Sequence, residues 1–354
     1  MARLDDLFRH LKDGGGSDLH LAAEREPRVR IHGALAPVPG WEVLPDAAVR
    51  ALLREIATDA QWAEYERAGD LDFAYGLDGV ARFRANFLRQ ENGAAAVFRL
   101  IPETIVPFDQ LGLPRSIEGL AHLRQGLVLV TGPTGSGKST TLAAILDRIN
   151  ETYPKHVVTI EDPVEFVHAN KRCVVSQREV GVDTESFGAA LRAAMRQDAD
   201  VVLVGEMRDL ETIALAVTAA ETGALVFGTL HTNGAANTID RLIDAFPAPE
   251  QPQVRTTLSE SLAAVVSQLL LKTADGAGRV AAHEILLKTP GLPNVIREGN
   301  TPMIQSIIQG GKALGMQLMD DALMALVEAK RITPRDAYMK AAQKQRFEAL
   351  LPEA

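Results

Sequence analysis

The sequence predicts an α/β fold, in which a parallel-sheet core follows a smaller α+β domain and precedes a helical region. Three observations carry this expectation. Short apolar runs (LVLVT, VVTIE, VVLVG, ALVFGTL) alternate with helix-like segments between about residues 118 and 288, as parallel strands alternate with crossover helices. Ahead of them, residues 1–105 show period-two alternation and hairpin dipeptides, the pattern of an antiparallel sheet. Behind them, residues 289–354 read as helix throughout. Residues 106–117 fall in the proline-punctuated stretch IPETIVPFDQLGLPRS and read as a linker.

Size and composition narrow the possibilities. A chain of 354 residues is long enough for two separate cores. Apolar residues make up 46% and charged residues 23%, as in ordinary globular proteins. A net charge of −9 opposes an electrostatic grip on nucleic acid. The single cysteine, Cys173, excludes an internal disulfide and a tetracysteine zinc site, and its apolar surroundings suit a core residue. No run of about 18 apolar residues is present, so no membrane span is expected. The first twenty residues lack the apolar segment of a signal peptide, and the chain reads as cytoplasmic.

In chain order, RVRIHG alternates as a half-buried strand, with Val29 and Ile31 on one face. DAAVRALLREIA reads as a helix, and a second helix opens at Thr58, with Gln61 completing a capping box. Asp78-Gly79 and Asn92-Gly93 then mark two hairpins, on the premise that both dipeptide positions take positive φ. Helices are expected on one side of this sheet. On RFRANFLRQ, Arg82 and Arg84 share one face, opposite Phe83 and Ala85, and Arg89 follows. A solvated charged face explains these arginines, and so does a contact offered to a neighbouring subunit's phosphates.

The strongest chemical signal is GPTGSGKST: Gly132, Pro133, Thr134, Gly135, Ser136, Gly137, Lys138, Ser139 and Thr140. It lies between the strand LVLVT and the helix KSTTLAAILDRIN, as a phosphate-binding loop requires. Its backbone N–H groups would cradle the phosphates, Lys138 would reach the β/γ-phosphates, and Ser139 would bind Mg²⁺. TIEDPVEF gathers Glu161, Asp162 and Glu165 at the end of the next strand, where carboxylates suit a cation, with Glu161 joining Ser139 as its ligands. VVLVGEMRD raises a question. Such strands in nucleotide hydrolases often end in Asp-Glu, yet here Gly205 precedes Glu206. Glu206 is then the candidate for orienting and partly deprotonating the attacking water. Asp209 suits the cap of the helix LETIALAVTAAETG, which Gly223 ends. Arg208 fits a structural ion pair as well as a catalytic role. His231 emerges from GTLHT at the same sheet edge, placed for structure or for sensing the γ-phosphate.

Together these motifs resemble the secretion ATPase superfamily of type II and type IV systems, and within it the pilus retraction ATPases. The likeness runs from SDLHL and RFRANFLRQ through GPTGSGKST, TIEDPVEF, GEMRDLETI, GTLHT and TIDRLID to GRVAAHEIL and NVIRE. It implies a RecA-like core, a PAS-like N-terminal domain, ATP and Mg²⁺, a homohexameric ring and docking on an inner-membrane platform protein. In that family Gly205-Glu206 matches a Walker B motif with Gly before the catalytic Glu; Glu161 to Glu165 match the Asp box, and His231 the His box. Residues equivalent to Arg82, Arg84 or Arg89 become candidates for contacts across the subunit boundary. Three stretches depart from the family pattern: Ala199-Asp200, Asn233-Gly234, and GLPNVIRE from Gly291 to Glu298.

Other readings remain. A single cysteine and a short N-terminal domain oppose the extension and type II secretion ATPases, whereas an accessory retraction ATPase stays close. A RecA-like nucleic-acid translocase would need a basic, aromatic-bearing channel loop. A small-molecule kinase would need an arginine-rich lid.

Overall fold

A computed structural model describes residues 3–31, 33–101, 105–276 and 278–351. Two compact units emerge: residues 1–104 with 163–167, and residues 105–162 with 168–354. Pro102 of the proline-punctuated stretch lies outside the described residues.

In the first unit, α1 (Arg3–Asp13) precedes β1 (Asp18–Ala22), β2 (Arg28–Ile31) and β3 (Ala34–Pro37). Helices α2 (Asp46–Arg54) and α3 (Asp59–Ala68) then lead into β4 (Asp70–Leu77), β5 (Ala81–Gln90) and β6 (Gly93–Ile101). The strands form one antiparallel sheet in the order β3-β2-β1-β6-β5-β4. One side carries Leu19, Val29, Phe83, Phe87 and Phe98 against Leu4, Leu7, Phe8 and Leu11 of α1. Those four α1 residues follow the i, i+3, i+4, i+7 spacing of an apolar helix face. Phe8 stacks on Phe83 at 4.2 Å between ring centroids and meets Phe98 edge-on. Thr58 and Gln61 form the capping box in full.

Both hairpins form, with a different turn chemistry from the expected one. Leu77 pairs with Ala81, leaving a three-residue loop in which Gly79 alone has positive φ. Gln90 pairs with Gly93, so the second loop is Glu91-Asn92, and Gly93 opens β6 at φ +120°. Each glycine supplies its turn's one left-handed residue, and neither Asp78 nor Asn92 needs to.

The second unit opens with α4 (Phe108–Leu111) and α5 (Arg115–Glu118). Pro107 and Pro114 stand at their N-caps, and Phe108 and Ile117 are buried in the core. The prolines here start short packed helices, which a proline does well because its φ is preset and its missing N–H costs nothing at a helix start. The chain continues through β7 (Gly126–Thr131), α6 (Lys138–Thr152), β8 (His156–Glu161), β9 (Val174–Glu179), α7 (Phe187–Ala194) and β10 (Val201–Val204). Next come α8 (Leu210–Glu221), β11 (Leu225–Leu230), α9 (Ala235–Asp244), α10 (Gln251–Ser261), β12 (Leu262–Lys272) and β13 (Arg279–Leu287). The sheet order is β13-β12-β7-β11-β10-β8-β9, parallel except for the edge strand β13. Its central strands are buried on both faces, which is why they read as unbroken apolar runs. Cys173 is buried within this core.

Helices α11 (Leu292–Arg297), α12 (Ile304–Gly310), α13 (Met319–Glu328), α14 (Pro334–Lys340) and α15 (Gln345–Glu348) close the chain. Pro293, a departure in the GLPNVIRE stretch, sits in the first turn of α11, where a proline removes no helical hydrogen bond. Asp209 caps α8 by accepting the Thr212 N–H at 2.8 Å. We expect Asp209→Ala to cost about 1 kcal/mol, read from the urea midpoint.

Candidate active site

Four neighbouring parallel strands, β7, β11, β10 and β8, deliver their carboxyl ends to one sheet edge. Each end carries one of the sequence motifs: the glycine-rich loop after β7, His231 after β11, Glu206 after β10, and Glu161 as the last residue of β8.

Three glycines shape the loop. Gly132, Gly135 and Gly137 all have positive φ, which only glycine adopts without strain. Gly137 stands at the N-cap of α6, whose first turn has neither a capping side chain nor an acid. Its free N–H groups and positive dipole end are therefore left for an anion. The Ser136 hydroxyl is buried inside the loop with no hydrogen-bond partner, and a buried orphan of that kind calls for one. Lys138 directs its ammonium at the carbonyls of Gly132 and Pro133, at 2.9 and 3.2 Å. This cradle fits a nucleotide's phosphates.

Glu206 lies two residues beyond β10, partly buried. Its Oε1 meets the Arg208 guanidinium at 2.6 Å and His231 Nε2 at 3.1 Å. Burial alone would raise its pKa. The Arg208 hydrogen bond and charge, with the charges of His231 and Lys138, outweigh that and hold the carboxyl below the usual range. The same bond raises the Arg208 pKa. Between the two, Met207 is buried against Gly228 of β11, where a Cβ would meet the Met207 sulfur at 2.9 Å. Alternation about that anchor turns Glu206 and Arg208 to the open edge. Because Arg208 depresses the Glu206 pKa, Arg208→Gln is expected to shift the acid limb of the kcat/KM profile toward higher pH.

The glycine before Glu206 has a steric cause. Gly205 N–H donates to the Ile160 carbonyl at 2.8 Å. A Cβ on Gly205 would lie 3.1 Å from that carbonyl oxygen and 3.3 Å from the Glu161 Cα. An aspartate there would need the end of β8 to give by a few tenths of an ångström. Gly205→Asp, which supplies the acid common at this position in other hydrolases, is predicted to slow phosphate release and leave its magnesium dependence no tighter. A magnesium titration of the purified variant checks this.

Glu161 is buried, and its Oε1 accepts from the Thr159 hydroxyl at 2.7 Å and the Gln177 amide at 3.2 Å. Glu165 lies in the 163–167 segment, which groups with the first unit. Among the described residues, no set of three His, Cys, Asp or Glu side chains gathers to hold a metal. Two neutral donors thus hold the Glu161 carboxylate in place at the end of β8. The Ser139 hydroxyl and the Glu161 carboxylate are hard oxygen donors that suit magnesium, an ion that commonly keeps several waters and takes phosphate oxygens.

On β5, burial alternates as expected: Phe83, Ala85 and Phe87 point inward, opposite Arg82 and Arg84. Arg84 forms a two-point ion pair with Asp72 at 2.6 and 3.2 Å, and Arg89 donates to the Glu66 carbonyl at 3.0 Å. Sequence reasoning missed Gln268 of β12, which bonds to the phosphate loop. Its signal was the polar pair Ser-Gln interrupting the apolar run LAAVVSQLLLK.

Comparison with known proteins adds an independent line. The model of the type II/IV secretion system protein family matches residues 3–346. The type IV pilus retraction ATPase PilT of Pseudomonas aeruginosa is 51% identical over 344 residues, covering 97% of this chain and 99% of that protein. The type IV pilus ATPase PilU of the same organism is 38% identical over 333 residues, covering 94% and 87%. A crystal structure of the pilus retraction motor PilT with bound ADP superposes with a TM-score of 0.91 at 43% identity, covering 99% of both chains. No helix among the described residues is long and apolar enough to cross a membrane. With its glycine-rich loop, its Gly-Glu strand end and this full-length likeness, the chain belongs to the type II/IV secretion system protein family.

Proposed function

We propose that this protein is an ATP-hydrolysing motor that drives type IV pilus retraction, and with it twitching motility. The observation that carries the reading is Glu206. It is held ionised between Arg208 and His231, on the same strand edge as the phosphate loop and its Lys138. Gly132 to Thr140 bind the phosphates, and Lys138 follows charge onto the β/γ oxygens. Glu206 orients the attacking water and takes up its proton in part, while His231 donates toward the terminal phosphate. Ser139 and Glu161 would hold magnesium, which when bound would supply positive charge against that developing on the phosphates.

In this reading six copies form a ring at the cytoplasmic face of the inner membrane, docked on the platform protein of the pilus machine. Arg82, Arg84 and Arg89 are offered to the neighbouring subunit, which requires Arg84 to exchange Asp72 for a phosphate. Higher likeness to PilT than to PilU favours the main retraction motor over the accessory one.

The test is a strain deleted for the gene and complemented with wild type or Glu206→Gln. Hyperpiliated, non-twitching cells rescued only by wild type support retraction. Bald cells point to extension instead, and undiminished twitching after deletion points to an accessory role.

A further inference from the structure

We propose that Ser267 and Gln268, consecutive residues in the middle of β12 where its pairing with β7 ends, are positioning residues: from opposite faces of one strand they set the phosphate loop and the loop that carries His231. The proposal rests on the hydrolase reading above and extends it to residues outside the loop, Walker B and His-box motifs.

Strand alternation creates the arrangement. β12 runs parallel to β7 with Ser267 opposite Thr131, the residue that leads into the phosphate loop. Val266 packs with Leu142, Ile145 and Ile149 of α6. Val265 packs on the other face with Ile239 and Leu242 of α9. Successive side chains leave a strand on opposite faces, so Gln268 follows Val266 toward α6, and Ser267 follows Val265 toward α9.

Each side chain then meets the start of its helix. Gln268 is buried; its amide donates to the Ser136 carbonyl at 2.5 Å and its Oε1 accepts from the Thr141 hydroxyl at 2.8 Å. It thus ties the loop's backbone to the first turn of α6. Gln268 also fills the space that any Cβ on Gly132 or Gly137 would need. On the other face, Ser267 Oγ accepts the Gly234 N–H at 2.9 Å. Gly234 is the N-cap of α9 and has no side chain, and Ser267 satisfies one of the free N–H groups of that helix start from a different strand. Glu284, paired with Ser267 across the β12–β13 ladder, accepts the next N–H, that of Ala235, at 2.8 Å. Gly234 lies three residues after His231. Two adjacent residues of one strand therefore fix both elements that must register on the same terminal phosphate.

The two halves predict different kinetic signatures. Loss of the Gln268 amide leaves a buried carbonyl and hydroxyl unpaired and loosens the phosphate cradle, so ADP affinity falls about tenfold or more. Loss of the Ser267 hydroxyl frees the His231 loop, so kcat falls about tenfold while ADP affinity stays within about twofold.

The experiment uses the full-length chain, with a fluorescent ADP for binding, phosphate release for turnover, and urea midpoints to establish folding. Gln268→Leu and the milder Thr141→Val, which removes one of the two Gln268 bonds, should weaken ADP binding in that order. Ser267→Ala should lower kcat, and Ser267→Thr should restore it. Folded Gln268→Leu or Thr141→Val that binds ADP like the parent, or Ser267→Ala with parental kcat, overturns the proposal. Should Gln268→Leu fail to fold, the Thr141→Val affinity decides that half. Wild-type protein that binds ADP but releases no phosphate overturns the hydrolase reading alone, and the binding arm still decides on Gln268.

Discussion

Purified Glu206→Gln protein should bind ATP and hydrolyse it at least ~100-fold more slowly than the parent, the usual cost of losing a positioned general base. The amide keeps the size of the carboxylate, and a hydrogen bond to His231 or Arg208 remains available, so the fold and the phosphate loop should persist. What disappears is the negative charge that, in the proposed mechanism, turns water toward the terminal phosphate. Arg208, His231 and Lys138 together favour that charge in the parent, despite the partial burial of the carboxyl. A strongly held carboxylate is also a weak base, so orientation of water should matter more than full proton removal. Single-turnover phosphate release, measured beside equilibrium ATP binding, separates the two effects. A variant that loses binding and turnover together would show that Glu206 holds the site's shape, not its chemistry.

Gly132→Ala should abolish nucleotide binding, with affinity reduced about 100-fold or more, equivalent to about 2.7 kcal/mol. Gly132 has φ +139°, a conformation costly for any residue with a Cβ. The added methyl would run into the Gln268 carbonyl oxygen, which is strand backbone and unable to swing away, and would lie 2.8 Å from the Ser136 Oγ. To relieve this the loop must leave β12, and the phosphate cradle goes with it. Gly135 is the informative contrast: it too has positive φ, yet nothing lies within 4 Å of a Cβ built there. Gly135→Ala should therefore weaken binding far less than Gly132→Ala. Equal losses in an ADP titration of the two variants would show that backbone strain, and not collision with β12, governs the loop.

What was legible in the sequence follows from how local each signal is. The phosphate loop, the Asp209 cap and the Thr58–Gln61 capping box are short-range chemistry written within a few residues, and each stands where its pattern indicates. The buried parallel strands were legible because burial on both faces leaves an unbroken apolar run. Hairpin positions were legible and turn types were not: a glycine announces a left-handed residue, while the strand register decides whether it sits inside the loop or opens the next strand. Helix α1 was open to reading too, through the helical spacing of Leu4, Leu7, Phe8 and Leu11.

The site's remaining features are long-range. Nothing near Gly205 in sequence indicates that Ile160 presses against it; that follows from the β8–β10 pairing. Gln268 is 132 residues from Ser136 and 127 from Thr141. The setting of Glu161 is long-range too: Gln177, sixteen residues on and in the neighbouring strand, donates to its carboxylate.

The most direct measurement is a crystal structure of Glu206→Gln protein with ATP and magnesium. It should show the terminal phosphate at Lys138, the metal on Ser139, and residue 206 within hydrogen-bonding reach of a water in line with the terminal phosphorus. Nucleotide bound away from the Gly132–Thr140 loop, or residue 206 remote from the terminal phosphate, would contradict the account.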